Sequence, residues 1–188
     1  MRKIIVSEYV TLDGIMEDPG GGGWSFPFWS EESAKFKADE LFASDGLLLG
    51  RVTYEGFAAA WPTMPGTGEY GERMNGFPKY VVSTTLETLE WNNSRRVTGN
   101  VVEAIATLKQ EPGQDILIFG SGALVQSLMP HNLIDEYRLM VHPIVLGKGK
   151  RLFPEGSDKI TLKLVETKTF ASGIVVLSYQ PAGPESGK

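Results

Sequence analysis

Apolar residues fall along this chain in two rhythms. Short, largely unbroken runs recur at residues 3–10, 46–49, 79–83 and 116–119, closed by glycine or hydroxyl residues. Such runs predict strands covered on both faces, as in the middle of an α/β sheet. Between them apolar positions return at helical spacing, over residues 31–42, 51–61, 101–110 and 122–128. Ser30 and Asn100 stand where helix starts need a side-chain acceptor, and Pro112-Gly113 and Pro130 stop two of the helices. Residues 134–144 predict a longer, less deeply buried strand, and residues 160–170 and 174–179 an antiparallel pair. Residues 17–30 and 63–75 read as long loops, and residues 86–99 as irregular with a short strand around Arg96 and Val97. The order predicts a three-layer α/β fold: a mainly parallel sheet with antiparallel C-terminal strands and helices on both faces. It forms one domain, residues 1–180, before a polar tail at 181–188 that is expected to be flexible.

The sharpest change of rhythm is at D-ILIF-GSG-ALVQSL, residues 115–128, where an apolar run breaks at Gly120-Ser121-Gly122 and a helix begins at once. Glycines allow a tight corner, and a helix start offers free N–H groups to an anion. A second such corner is Gly50-Arg51-Val52-Thr53, where the arginine fork and the threonine hydroxyl both suit phosphate oxygens. A bare turn and a surface ion pair are the alternative readings of these two corners. Ligands of open α/β sheets sit at the carboxyl ends of the strands. Four predicted strand ends carry suitable groups: residues 11–14, 50–53, 83–85 and 120–122. There is neither a full G-x-G-x-x-G fingerprint nor a P-loop lysine. The loop at residues 17–30 has four consecutive glycines and then Trp24, Phe26, Phe28 and Trp29. This reads as a wall or lid over a flat ligand, or else as a plug for the sheet edge.

Composition removes several functions. The net charge of −5 over 188 residues argues against a general nucleic-acid binder. The absence of cysteine excludes disulfides and thiolate chemistry, and two distant histidines, His131 and His142, argue against zinc or another metal. No apolar stretch is long enough to cross a bilayer, and residues 1–10 read as a strand and not a signal peptide, so a cytoplasmic setting is expected.

Five motifs in order give the chain a resemblance to the dihydrofolate reductase-like superfamily. They are T-LDG at 11–14, LLLGRVTYEGF at 47–57, KYVVSTTL at 79–86, ILIFGSGALVQSL at 116–128 and LIDEYRLMVHPIVLGKGKRLF at 133–153. The sequence is most similar to the branch containing the C-terminal reductase domain of the riboflavin-biosynthesis deaminase/reductase. The resemblance spans residues 2–179 and implies a mixed sheet that binds NADPH. It implies that Gly50, Arg51 and Thr53 hold phosphates, and that Ser83 and Thr84 lie near the adenine end. Gly120, Ser121, Gly122, Ala123 and Leu124 would meet the pyrophosphate, and Leu12, Asp13 and Gly14 would border the nicotinamide. The substrate, a small heterocycle such as a riboflavin-pathway pyrimidine, would rest near Trp24 and Phe28. Relatives of this branch commonly form homodimers. Two departures stand out: Thr84 replaces an arginine of many relatives, which leaves NADH open as an alternative cofactor, and Ser121 separates two glycines that are adjacent in dihydrofolate reductases.

Reduction also needs a proton donor. Asp13, Glu31 and Glu32 are the nearby carboxylates, and Asp13 is the favoured one, with bound water as an alternative. The competing function is a non-catalytic module that binds a nucleotide or aromatic compound on the same fold.

Overall fold

The structure is a computed structural model that describes residues 1–20 and 23–183. Its frame is an eight-stranded sheet built from β1 (Ile4–Thr11), β3 (Ser44–Gly50), β4 (Lys79–Val82), β5 (Ser94–Val97), β6 (Asp115–Phe119), β7 (Glu136–His142), β9 (Leu162–Thr169) and β10 (Val175–Pro181). The strand order is β5-β4-β3-β6-β1-β7-β10-β9. β10 is antiparallel to both its neighbours, and every other pairing is parallel. The predicted fold class therefore holds. A separate two-stranded ribbon joins β2 (Ile15–Glu17) to β8 (Lys150–Arg151).

The alternation along the strands builds the three layers. Ile4 and Val6 of β1, Leu48 of β3 and Ile116 and Ile118 of β6 pack with α4 (Val101–Gln110) and α5 (Gly122–Leu128). Their neighbours Ile5, Leu47, Leu49, Leu117 and Phe119 pack with α1 (Glu31–Phe42), α2 (Arg51–Ala60) and α3 (Gly68–Gly76) on the other face. Both faces are thus apolar, which is why these runs are unbroken. Ser30 caps α1 by accepting the Ser33 N–H, and Asn100 caps α4 by accepting from Val102 and Glu103.

The loop expected over residues 63–75 is corrected by α3. Gly68, Gly71 and Gly76 are poor helix formers, but packing supplies what propensity lacks. Met74 is buried, Arg73 donates to the Ser44 carbonyl at 2.6 Å, and Asn75 accepts from the Trp91 indole at 2.7 Å. The β2–β8 ribbon was not expected either, being three residues against two. The strand expected over 134–144 is an interior one, between β1 and β10, and Glu136, Tyr137, Met140 and His142 are buried. Of the expected tail at 181–188, residues 184–188 lie outside the described residues, as do two of the four consecutive glycines, residues 21 and 22. No helix among the described residues is long and apolar enough to cross a membrane.

Candidate functional site

Because β4, β3, β6 and β1 are adjacent and parallel, their carboxyl ends share one edge of the sheet. Two of the corners there are locked together. The Gly50 N–H donates to Ser121 Oγ at 3.0 Å, and the Ser121 N–H donates to Thr53 Oγ1 at 2.8 Å. Gly120 and Ser121 are both left-handed, with φ of 58° and 57°. For serine that conformation costs about 1–3 kcal/mol, and it persists because these cross-links over-determine it. A Cβ on Gly120 would come within 2.9 Å of Thr53 Oγ1, and one on Gly122 within 2.7 Å of Met16 Sδ. Gly120 is therefore held to glycine by its left-handed backbone and by Thr53, whereas the flexible Met16 thioether over Gly122 can give way.

This corner opens into a cleft of about 490 Å³. Gly50, Arg51, Val52 and Thr53 line one side, Ser121, Gly122, Ala123 and Leu124 another, and Lys150 and Arg151 a third. No side chain caps α2, so its first N–H groups are available to a ligand's oxygens. Arg51 pairs with Glu55 at 2.9 Å, both about half exposed, and such a pair exchanges readily for a phosphate. The basic stretch GKGKR at residues 147–151 joins the cleft through β8: Lys150 pairs with Glu17, and Arg151 donates to the Asp13 carbonyl. A larger hollow of about 900 Å³ between α2 and residues 86–92 has no lysine or arginine in its lining.

Next to the cleft lies a chamber of about 460 Å³, and Met16, Glu17, Thr53 and Ser121 line both. Its walls are Tyr9, Trp24, Phe26, Phe57, Trp61, Tyr70 and Phe119, and its polar groups include Ser7, Glu8 and Lys37. Lys37 lies beneath it, 3.8 Å from the Phe119 ring centre, donating to Ser7 Oγ at 2.9 Å and paired with Glu40. Glu8 is buried; its Oε2 accepts the Gly120 N–H at 3.0 Å, and its Oε1 is buried without a partner. Burial pushes the Glu8 carboxyl well above the ordinary range, against the opposing pull of Lys37 and the Gly120 N–H.

The sequence-derived residues distribute unevenly over these two spaces. Trp24 lines the chamber and stacks edge-on against His142, with ring centres 5.0 Å apart. Phe28 does not line it: it packs on His142 from 5.8 Å and on the cluster of Phe36, Met140 and Phe170. Phe26 takes the place expected for it. Buried His142 donates from Nδ1 to the Met140 carbonyl at 2.8 Å, and burial lowers its basicity. Ser83 Oγ is used within its own turn, accepting from Thr85 and Leu86, and Thr84 is exposed; Val82 is the β4 residue in the cleft. Leu12 is exposed and ties to the Ile144 carbonyl, while Gly14 sits under Arg151.

Asp13, the favoured acid, is a brace for the loop that follows β7. The Thr11 hydroxyl and the N–H groups of Gly147 and Leu146 hold its carboxyl below the usual range. A carboxylate stabilised in this way is a poor proton donor. Glu31 and Glu32 are first-turn residues of α1, and Glu32 accepts the Ala171 N–H. Two carboxyls line the chamber: Glu17, exposed and paired with Lys150, and Glu8, which is buried. Its signal was in the sequence: a glutamate inside the β-branched run IIVSEYVT, where a buried strand has no solvent for a charge.

Comparison with known proteins agrees with this architecture. The family model of the RibD C-terminal domain matches residues 2–176. YyaP of Bacillus subtilis strain 168 is 35% identical over 182 residues, covering 95% of this chain and 94% of that protein. A putative riboflavin biosynthesis protein from Shewanella sp. PV-4 superposes with a TM-score of 0.74 at 23% identity, covering 96% of this chain and 99% of that one. The dihydrofolate reductase of Enterococcus faecalis, solved with NADP(H), gives 0.63 at 16% identity, with 95% and 96% covered. These two structures share the fold. With the family model matched across nearly its whole length, the chain belongs to the RibD C-terminal domain family.

Proposed function

We propose that this chain is an NADPH-dependent reductase of a small planar heterocycle. One observation carries the reading: a cationic cleft with an uncapped helix start adjoins an aromatic chamber across a shared wall. The cleft suits the phosphates. Arg51, Lys150 and Arg151 supply charge, α2 supplies N–H groups, and the glycine corner lets a pyrophosphate approach the backbone. Three cations favour the carrier with the extra phosphate, NADPH, over NADH. When bound, the cofactor supplies the hydride. The chain's own task is to stack the substrate ring among Trp24, Phe26 and Phe119 and to exclude water from the chamber. Family membership supports an oxidised pyrimidine as the first substrate class to try.

The test is titration of the four tryptophans' fluorescence with NADPH, followed by a screen of oxidised pyrimidines and pteridines for loss of reduced-cofactor absorbance. Saturable quenching with turnover is the expected result. Absence of binding at millimolar NADPH would overturn the reading, and binding without turnover across the screen would favour the non-catalytic module.

A further inference from the structure

We propose that Glu8 is the catalytic acid of this site, delivering its proton from Oε1 to the substrate atom next to the carbon being reduced. This rests on the reductase reading above.

The argument begins with the two oxygens of Glu8. Oε2 accepts the Gly120 N–H at 3.0 Å, which is the role of the carbonyl oxygen of a neutral acid. Oε1 is buried and unpartnered, and Glu8 lines the chamber. A buried oxygen without a partner carries a cost unless a ligand completes it. An O–H there fits an acceptor such as a ring nitrogen or carbonyl oxygen. The surroundings keep the proton on. Burial is the main cause, and Glu40 of α1 acts in the same direction. Opposing them are Lys37, also of α1, and the Gly120 N–H at the end of β6. Tyr9 on the same strand, Tyr70 from α3 and Glu17 from β2 complete the titratable groups around the chamber, and Arg138 from β7 faces Glu40 at 3.7 Å. Lys37 is committed to Ser7 and Glu40, so it neither quenches Glu8 by a direct ion pair nor competes as donor.

The step balances with a reduced nicotinamide as the two-electron donor. The carbon of a C=N bond accepts hydride, and the π pair moves to nitrogen. That nitrogen takes the Glu8 proton, leaving a C–H bond, an N–H bond, oxidised nicotinamide and the Glu8 carboxylate. The carboxylate regains its proton from water once product leaves.

The experiment uses the full chain, wild type beside Glu8→Gln and Glu8→Asp. Infrared titration should show a protonated-carboxyl band in wild type that persists at pH values where the other carboxylates are ionised. It should vanish in Glu8→Gln; a wild type without such a band overturns the proposal. With the substrate found by the screen, Glu8→Gln should keep NADPH affinity while kcat falls on the order of 100-fold or more, as for loss of a general acid. Glu8→Asp should recover part of the rate with a displaced alkaline limb of the pH profile. Equal kcat in wild type and Glu8→Gln removes the assignment and leaves the reductase standing. A wild type that does not bind NADPH removes both, whatever the infrared band shows.

Discussion

The cleft and the chamber share a wall, yet each holds an ion pair of opposite character. On α2, Arg51 and Glu55 meet four residues apart with their side chains 46% and 47% exposed. On α1, Lys37 and Glu40 meet three residues apart at 6% and 1%. The two pairs have nearly the same helical geometry and different consequences. In water the pair is worth about 0–1 kcal/mol and either partner is free to leave for a better anion or cation. Inside the protein the charges are bound to each other, because separating them strands one in a medium that cannot solvate it. The cleft is therefore built to exchange partners. The chamber is built to keep its charges fixed, with the buried Glu8 Oε1 left unpartnered in its wall.

Four substitutions test that contrast. Lys37→Met should destabilise most, by about 3 kcal/mol in denaturant unfolding, because buried Glu40 loses its close cation and keeps only Arg138 at 3.7 Å. A loss below about 1 kcal/mol would mean that water reaches this pair and the chamber is wet. Gly120→Ala comes next, at roughly 1–3 kcal/mol, from a left-handed backbone and a Cβ pressed against Thr53. NADPH affinity should fall with it, since the same corner shapes the cleft; unchanged fluorescence titration would detach the corner from the ligand. Arg51→Ala should weaken NADPH binding about tenfold while the unfolding midpoint shifts by no more than about 0.5 kcal/mol. Affinity equal to wild type would take Arg51 out of the site.

Asp13→Asn should do least. Turnover should be close to wild type, which separates Asp13 from Glu8. Its stability effect has a definite sign. The folded carboxyl titrates below its ordinary 3.8, so its contribution is present above that pH and is lost as pH falls through the folded value. The wild-type advantage should be visible in thermal melts at neutral pH and disappear in acid. A gap that widens in acid would contradict the hydrogen bonds assigned to this group.

How much of this was legible in the sequence follows from how local each feature is. The run DILIF before Gly120, and the caps Ser30 and Asn100, are decided by neighbours within a few residues, and the structure places them as read. The GRVT corner was legible for the same reason. Helix α3 was hidden because its three glycines argue against it locally, while Met74, Arg73 and Asn75 hold it through distant partners. Glu8 carried a local hint, a charge inside an apolar run, but nothing local showed what surrounds it. A glutamate in a strand is ordinarily a surface residue; only the parallel neighbours β6 and β7 bury it, and Gly120 is 112 positions away. Phe28 and Trp24 could not be told apart by spacing, since which ring faces the chamber depends on where His142 sits.

The position of β1 has one more consequence. β1 is an interior strand of the finished sheet, yet its lateral partners begin only at Asp115 and Glu136, more than a hundred positions further along the chain. Until both have been synthesised, its row of N–H and C=O groups has no ladder to join, so β1 is set in place late in assembly. Folding should therefore be slow for the length of chain and intolerant of C-terminal truncation before residue 142, a dependence that pulse-labelled amide exchange on β1 would reveal.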